Sequence, residues 1–189
     1  MNNITILVAR YNEDVNWTKA FSNVIIYNKG IPLGNDFNEV LLDNVGRESH
    51  TYYKYIYDNY YNLSEYTVFL QGYPFDHTPD IIKLLEYYRD TDFNLGYKSL
   101  CKTVLKCNLT GCIYHHGLPL IDTYEKIFGK REKNLEFEFG AGAQFIVSKE
   151  NILQHSRDFY LNIVELSGKD INPVEGFVLE RFHKIIFDK

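Results

Sequence analysis

The sequence predicts an α/β protein with an open, mostly parallel sheet, because apolar strands alternate with helical segments. Residues 4–9, 24–27 and 67–72 are continuous apolar runs that suit buried parallel strands. Amphipathic patterns at 17–21 and 48–61 predict a helix between each pair of neighbouring strands. The chain has 189 residues, of which 45% are hydrophobic, enough for one domain (residues 1–189) with its own core.

The second half of the chain predicts further elements. A helix is expected over residues 81–88, capped by the segment Thr78-Pro79-Asp80. Residues 91–135 are interrupted by glycines and predict short strands and loops, with a helix near 124–128. Residues 137–153 predict one glycine-kinked strand and then a helix that begins near Ser148. A last helix is expected after Pro173.

Composition narrows the classes of partner. The net charge is −5 and no basic stripe occurs, which argues against nucleic-acid binding. The chain is rich in aromatic residues, with 16 Tyr and 13 Phe. Such side chains suit ligands that combine polar groups with flat apolar faces, such as sugars and bases.

The cysteines and the N-terminus predict the compartment. Cys101, Cys107 and Cys112 form no C-x-x-C pair, and we interpret all three as small buried apolar groups in a reducing, cytosolic setting. No basic leader and no apolar run of transmembrane length is present, so we expect neither export nor a membrane span. The chain ends after an apolar helical segment, so it is either complete or the N-terminal module of a longer protein.

Four polar loops follow apolar strands, at residues 10–14, 28–30, 73–77 and 140–142. In a doubly wound sheet these loops meet at the carboxyl edge of the strands, where ligands bind. No dinucleotide-binding, P-loop or G-x-S-x-G motif occurs in the sequence. The edge is therefore a candidate site without the phosphate-binding motifs of the commonest nucleotide-binding folds.

Asp76, His77 and Asp80 form a cluster of oxygen and imidazole groups at the end of a strand. Such a cluster suits a divalent cation that bridges to a diphosphate. The alternative is that these residues have structural roles. Asp80 would then complement a helix dipole, Asp76 would accept hydrogen bonds from loop amides, and His77 would lie on the surface.

Two other charged residues each allow two interpretations. Arg47 either binds a phosphate with its planar fork or forms a surface salt bridge to Glu48 or Asp43. Glu175, at the start of the last helix, is either a general base or a carboxylate that complements the helix dipole.

Laid in order, the segments resemble a glycosyltransferase of the GT-A fold. The similar segments are Ala9–Glu13, Phe69–His77 and Gly140–Glu150. Shorter stretches are similar to a family catalogued as a domain of unknown function and to the glycosyltransferase domain of chlorella viruses: Asn44–Glu48, Phe69–Gly72, Ala143–Phe145 and Glu180–Arg181. The resemblance spans residues 4–187. It implies a cytoplasmic protein, and if the protein is viral, the cytoplasm is that of the host.

The resemblance implies transfer of a sugar, a hexose or deoxyhexose, from a UDP-sugar to a glycan or glycoprotein acceptor. It also implies Mn²⁺ or Mg²⁺ as cofactor, held by Asp76. No literal D-x-D is present, because His77 and Thr78 follow Asp76. Diphosphate and water would then complete the metal's ligands.

The resemblance further assigns roles to residues of the candidate site. The donor-binding residues it implies are Arg10, Tyr11, Asn12, Asn28, Arg47 and Gln71. Glu175 is the implied general base of an inverting reaction, with Glu138 and Glu180 as competitors. Two alternatives keep the same fold: a carbohydrate-binding module without catalysis, and a nucleotide-sugar hydrolase without an acceptor.

Overall fold

The computed structural model describes residues 3–112 and 114–188. Within them, eight strands are β1 (Ile4–Arg10), β2 (Val24–Asn28), β3 (Glu39–Leu41), β4 (Tyr66–Gln71), β5 (Tyr97–Ser99), β6 (Val104–Asn108), β7 (Glu136–Gly140) and β8 (Phe145–Ser148). The α-helices of the same residues are α1 (Arg47–Asn59), α2 (Ile81–Asp90), α3 (Leu120–Phe128), α4 (Lys149–Ile152), α5 (Arg157–Ser167) and α6 (Val174–Phe187). Two 3₁₀ turns span Asn16–Ala20 and Pro74–Asp76.

In the described residues, the main sheet has six strands in the order β3-β2-β1-β4-β8-β5. β1 pairs in parallel with β2 and with β4, and β2 pairs in parallel with β3. β8 is antiparallel to both of its neighbours, β4 and β5. The predicted α/β class with a mostly parallel sheet and flanking helices is therefore confirmed. The crossover between β1 and β2 is a 3₁₀ turn instead of the α-helix that the sequence pattern suggested.

The central strands are buried on both faces, which explains their continuous apolar sequence. Leu7 and Phe69 point into one core cluster, and their neighbours Val8 and Leu70 point into the other. All four are fully buried. Successive side chains of a strand face opposite sides, so each of these strands supplies both cores.

Much of the aromatic content builds one of these cores. Phe145 on β8 packs against Phe69, with ring centroids 4.8 Å apart, and against His183 at 4.7 Å. Tyr52 and Tyr53 on α1 are fully buried in the same cluster. The abundance of tyrosine therefore reflects packing between the sheet and its helices more than a ligand surface.

The structure corrects the predictions for the second half of the chain. The expected single strand over residues 137–148 is two strands, with β7 paired to β6 in a separate sheet. The hydroxyl of Thr78 donates to the carbonyl of Leu100, while Asp80 takes the N-cap position of α2. The predicted helix start at Ser148 is confirmed, because its hydroxyl accepts from the amide of Asn151. α5 was not predicted.

The interpretation of all three cysteines as unpaired groups was wrong. Cys107, at the end of β6, forms a disulfide with Cys112 five residues later, whereas Cys101 is free and buried. Disulfides persist in oxidising environments, so the cysteines no longer argue for a reducing compartment. No helix within the described residues is long and apolar enough to cross a membrane.

Removal of this disulfide is expected to lower stability. Closing so short a loop should stabilise the folded protein by about 2 kcal/mol, so Cys107→Ser with Cys112→Ser should lower Tm. Thiol titration of the denatured protein should find one reactive thiol, that of Cys101. Cys101→Ala is the control, and it should leave no titratable thiol. Three thiols in the unreduced wild type would contradict the pairing.

Candidate functional site

A cleft of about 680 Å³ opens at the carboxyl ends of β1 and β4. From β1 the chain continues to β2 and β3 along one edge of β1, and it returns to β4 along the other edge. The strand order therefore reverses between β1 and β4, where the cleft lies. Ligands of open α/β sheets bind at such points. Among the described residues, two other cavities of about 760 and 790 Å³ lie beside the disulfide and at the amino end of β4, away from the predicted loops.

The cleft collects most, but not all, of the predicted site residues. The predicted residues that line it are Arg10, Tyr11, Arg47, Gln71 and Asp76. The predicted residues that are not among its lining are Asn12, Asn28 and Glu175. The loops after β1, β2 and β4 are therefore brought together as the sequence predicted, with the start of α1 beside them. The fourth predicted loop, residues 140–142, is not among the lining.

Arg10 and Asn28 connect the loops that follow β1 and β2. The guanidinium of Arg10 donates to the side-chain oxygen of Asn28 over 2.8 Å, and both side chains are buried. Each also donates to the carbonyl of Ile31. The side-chain oxygen of Asn12 accepts from the amide of Ile31. These side chains are engaged within the protein, so they support the wall of the cleft more than its ligand-facing surface.

Arg47 presents its guanidinium at the cleft wall. It lies 4.4 Å from the ring centroid of Phe177 and donates to the side chain of Asn172 over 3.0 Å. Its Nε atom is 3.8 Å from a carboxylate oxygen of Glu48, so the predicted salt bridge is present as well. Gly46 precedes it with φ of 69°, and a Cβ there would lie 2.4 Å from His50. A glycine at this position is therefore required by backbone conformation and by space.

Lys29 is a site residue that sequence reasoning missed. Its ammonium group lines the cleft and donates to the backbone carbonyls of Val45 and Arg47. Burial lowers the pKa of Lys29 to about 8, opposed by the charge of Glu48. The sequence could have indicated this residue, because Lys29 directly follows β2 in the loop at 28–30, which was predicted to lie at the carboxyl edge of the sheet.

Glu48 and Thr51 also line the cleft and were not predicted as functional residues. The Glu48 side chain is 14% exposed, and burial raises its pKa while Arg47 opposes the shift. Glu180 on α6 adds to the rise through charge repulsion. The Thr51 hydroxyl is buried and has no hydrogen-bond partner among the described residues.

Asp76 ends a 3₁₀ turn after β4 and is exposed at the cleft. Asp80 lies outside the cleft lining and pairs with Lys83 at 3.7 Å. Within residues 3–112 and 114–188, no three His, Cys, Asp or Glu side chains are grouped to hold a metal ion. The predicted cluster of metal ligands therefore reduces to Asp76, and a cation there would need ligands from a bound anion and water.

Glu175 lies away from the cleft lining, on the first turn of α6. Its carboxylate is 3.8 Å from the ammonium group of Lys126. Its competitor Glu180 accepts a hydrogen bond from the amide of Gly142 over 2.7 Å. Glu138 is 3.9 Å from Lys106 on the small sheet. None of these three carboxylates is among the residues that line the cleft.

Fold and cleft together define an α/β protein with a mostly parallel sheet and a charged cleft at its carboxyl edge. A family model described as "Protein of unknown function (DUF3431)" matches residues 6–189, and the chain belongs to this family. The comparisons with curated proteins and with solved structures found no match.

Proposed function

We propose that the protein is a metal-dependent glycosyltransferase that moves a hexose or deoxyhexose from a UDP-sugar to a glycan or glycoprotein acceptor. The observation that carries the proposal is the meeting of Arg47, Gln71 and Asp76 in one cleft at the reversal point of the sheet. These residues lie on α1, β4 and the turn after β4, and the resemblance to GT-A glycosyltransferases had assigned all three to donor or metal binding.

The cationic wall of the cleft suits a diphosphate. The Arg47 guanidinium is half-exposed, and the Lys29 ammonium lies beneath its backbone. A guanidinium fork matches phosphate oxygens geometrically, and a nearby ammonium adds positive charge to the same wall. Arg47 would therefore bind the diphosphate directly, while Lys29 would fix the backbone of Arg47 and contribute its charge.

Other residues of the cleft lining suit the metal ion and the base and sugar rings of the donor. Asp76 would hold Mn²⁺ or Mg²⁺, which prefers oxygen ligands and takes several of them from phosphate and water. When bound, such a cation stabilises the charge that develops on a leaving diphosphate. Tyr11 and Tyr73 line the cleft and are 52% and 49% exposed, so their rings are free to frame the base and the sugar.

In the proposed reaction, an acceptor hydroxyl oxygen bonds to the anomeric carbon of the sugar while the bond from that carbon to the diphosphate breaks. UDP leaves with the bonding electron pair, and the hydroxyl proton passes to a base. The two alternatives share the donor site but not this step: a carbohydrate-binding module performs no bond change, and a nucleotide-sugar hydrolase uses water in place of the acceptor.

One assay separates the three functions. The protein is incubated with Mn²⁺ or Mg²⁺ and a panel of UDP-hexoses and UDP-deoxyhexoses, with and without oligosaccharide acceptors, and UDP release and glycoside products are measured. Acceptor-dependent UDP release supports transfer. UDP release that does not depend on acceptor favours the hydrolase. Glycan binding without UDP release favours the module.

Arg47→Lys tests the donor-binding wall. We expect UDP to bind at least about tenfold more weakly, because lysine keeps the charge but loses the bidentate fork, while Tm stays within a few degrees. Calorimetric titration with UDP measures the affinity. Arg131→Lys is a matched control on the surface, where Arg131 pairs with Asp122 and Glu125. Wild-type affinity in Arg47→Lys would exclude the phosphate-binding role and leave Arg47 its contacts with Glu48, Phe177 and Asn172.

A further inference from the structure

The first turns of α1 present three functional groups to the cleft. Arg47, Glu48 and Thr51 all line it, and residues three and four positions apart on a helix share one face. The Thr51 hydroxyl is fully buried and lacks a hydrogen-bond partner among the described residues. Buried hydroxyls are usually paired, so the hydroxyl of Thr51 leaves hydrogen-bonding capacity unused behind the cleft wall, on the helix face that carries Glu48.

Glu48 has the surroundings of a proton acceptor. Its carboxylate is largely buried and faces Arg47 on its own helix, Lys29 from the loop after β2, and Glu180 from α6. Tyr52, one turn further along α1, is also influenced by the charge of Glu48, and its hydroxyl has no hydrogen-bond partner among the described residues. Burial raises the pKa of the Glu48 carboxyl and the charge of Glu180 adds to the rise, while Arg47 and Lys29 oppose it. A carboxylate with a raised pKa is a stronger proton acceptor.

Other carboxylates of the cleft are less suited to this role. One carboxylate oxygen of Glu13 accepts hydrogen bonds from the amides of Tyr11 and Asn12. The same oxygen packs against Gly72, where a Cβ would lie 2.6 Å from it. Asp76 carries the proposed metal. Glu175 is paired with Lys126 outside the cleft lining. Glu48 is therefore the cleft carboxylate that is largely buried, and the backbone amide that it bonds is its own, on the first turn of α1.

We propose that Glu48 is the general base of the transfer reaction, a role that rests on the proposed function. The acceptor hydroxyl gives its proton to the Glu48 carboxylate as its oxygen bonds to the anomeric carbon. The bond to the diphosphate breaks at the same time, and UDP leaves with that electron pair.

The test compares Glu48→Gln with the wild type under the conditions of the transfer assay. Glutamine keeps the size of the side chain but accepts no proton. We expect kcat to fall by about 10²- to 10⁴-fold while UDP affinity changes less than about threefold, because the base acts on the acceptor. The wild-type pH profile should lose activity on the acid side as Glu48 protonates, and Glu48→Gln should lack this limb.

Three further variants make the result specific. Glu48→Asp should recover part of the rate, because a carboxylate is restored. Glu175→Gln tests the base that the sequence analysis implied. Glu125→Gln is a surface control, since Glu125 pairs with Arg131 on the outside of α3. A fall in kcat for Glu48→Gln with near-normal rates for the other two Gln variants supports the assignment.

The outcomes that would overturn the role of Glu48 can be told apart from those that would overturn the proposed function. If the wild type transfers sugar and Glu48→Gln transfers it within a few-fold of the same rate, the role of Glu48 is overturned and the proposed function stands. The same holds if Glu48→Gln loses UDP affinity as much as turnover, or if the acid limb of the pH profile survives. If the wild type binds UDP but transfers no sugar, the proposed function is overturned, and the role of Glu48 with it.

Discussion

Replacement of Asp76 by alanine is expected to abolish the metal dependence of UDP-sugar turnover. Asp76 is exposed at the cleft and contributes little to the core, so the fold should survive. A cation at a leaving diphosphate stabilises the transition state by several kcal/mol, which corresponds to a loss of at least about 10²-fold in kcat/KM. Activity is measured over a titration of Mn²⁺ and Mg²⁺, with circular dichroism to verify folding.

Asp80→Ala is the matched control for this experiment. Asp80 is equally acidic and only four residues away, but it pairs with Lys83 and is not part of the cleft lining. It should keep the metal dependence and rate of the wild type. Unchanged metal dependence in Asp76→Ala, or its loss in Asp80→Ala instead, would remove Asp76 from the proposed metal site.

Arg181→Met is expected to destabilise the protein more than any surface substitution. The Arg181 side chain is 1% exposed, and it donates to the carbonyls of Phe177 and Tyr114 and pairs with Glu180 at 3.3 Å. Methionine fills similar space but leaves these acceptors without their donor. We expect a loss of about 3 kcal/mol, which lowers Tm by roughly 6–12 °C in a domain of this size.

Thermal unfolding of both proteins measures this effect. Arg89→Met is the control, because Arg89 pairs with Asp90 on the exposed face of α2 and should change Tm by little. Equal Tm values for Arg181→Met and the wild type would show that the buried guanidinium does not stabilise the fold. A recovery of Tm when Glu180→Gln is added would locate the loss at the unpaired carboxylate.

The first half of the fold was predictable from sequence because its strands are buried on both faces. Runs such as residues 4–9 and 67–72 are apolar throughout, and a polar loop marks the end of each. The second half was harder because residues 141–144 connect β7 and β8, which belong to different sheets. Local sequence shows a break there but does not show which partner strand each side pairs with, since that pairing is set by distant residues.

The candidate site was predictable where it follows strand ends and not where it depends on helix orientation. Tyr11 and Asp76, which follow β1 and β4, line the cleft, as does Gln71, the last residue of β4. Glu48 and Thr51 were missed, because only the packing of α1 shows which of its faces lines the cleft. The disulfide was missed because a spacing of five residues permits pairing without requiring it.

The position of β8 between β4 and β5 has a consequence for synthesis on the ribosome. β4 and β5 are joined in the main sheet only through β8 (Phe145–Ser148), which pairs with both of them. Helix α6 comes later in the chain than β8. A nascent chain of the first hundred residues therefore exposes one hydrogen-bonding edge of β4 beside the apolar surface of Phe69. The main sheet can therefore close only after residue 148 has left the exit tunnel.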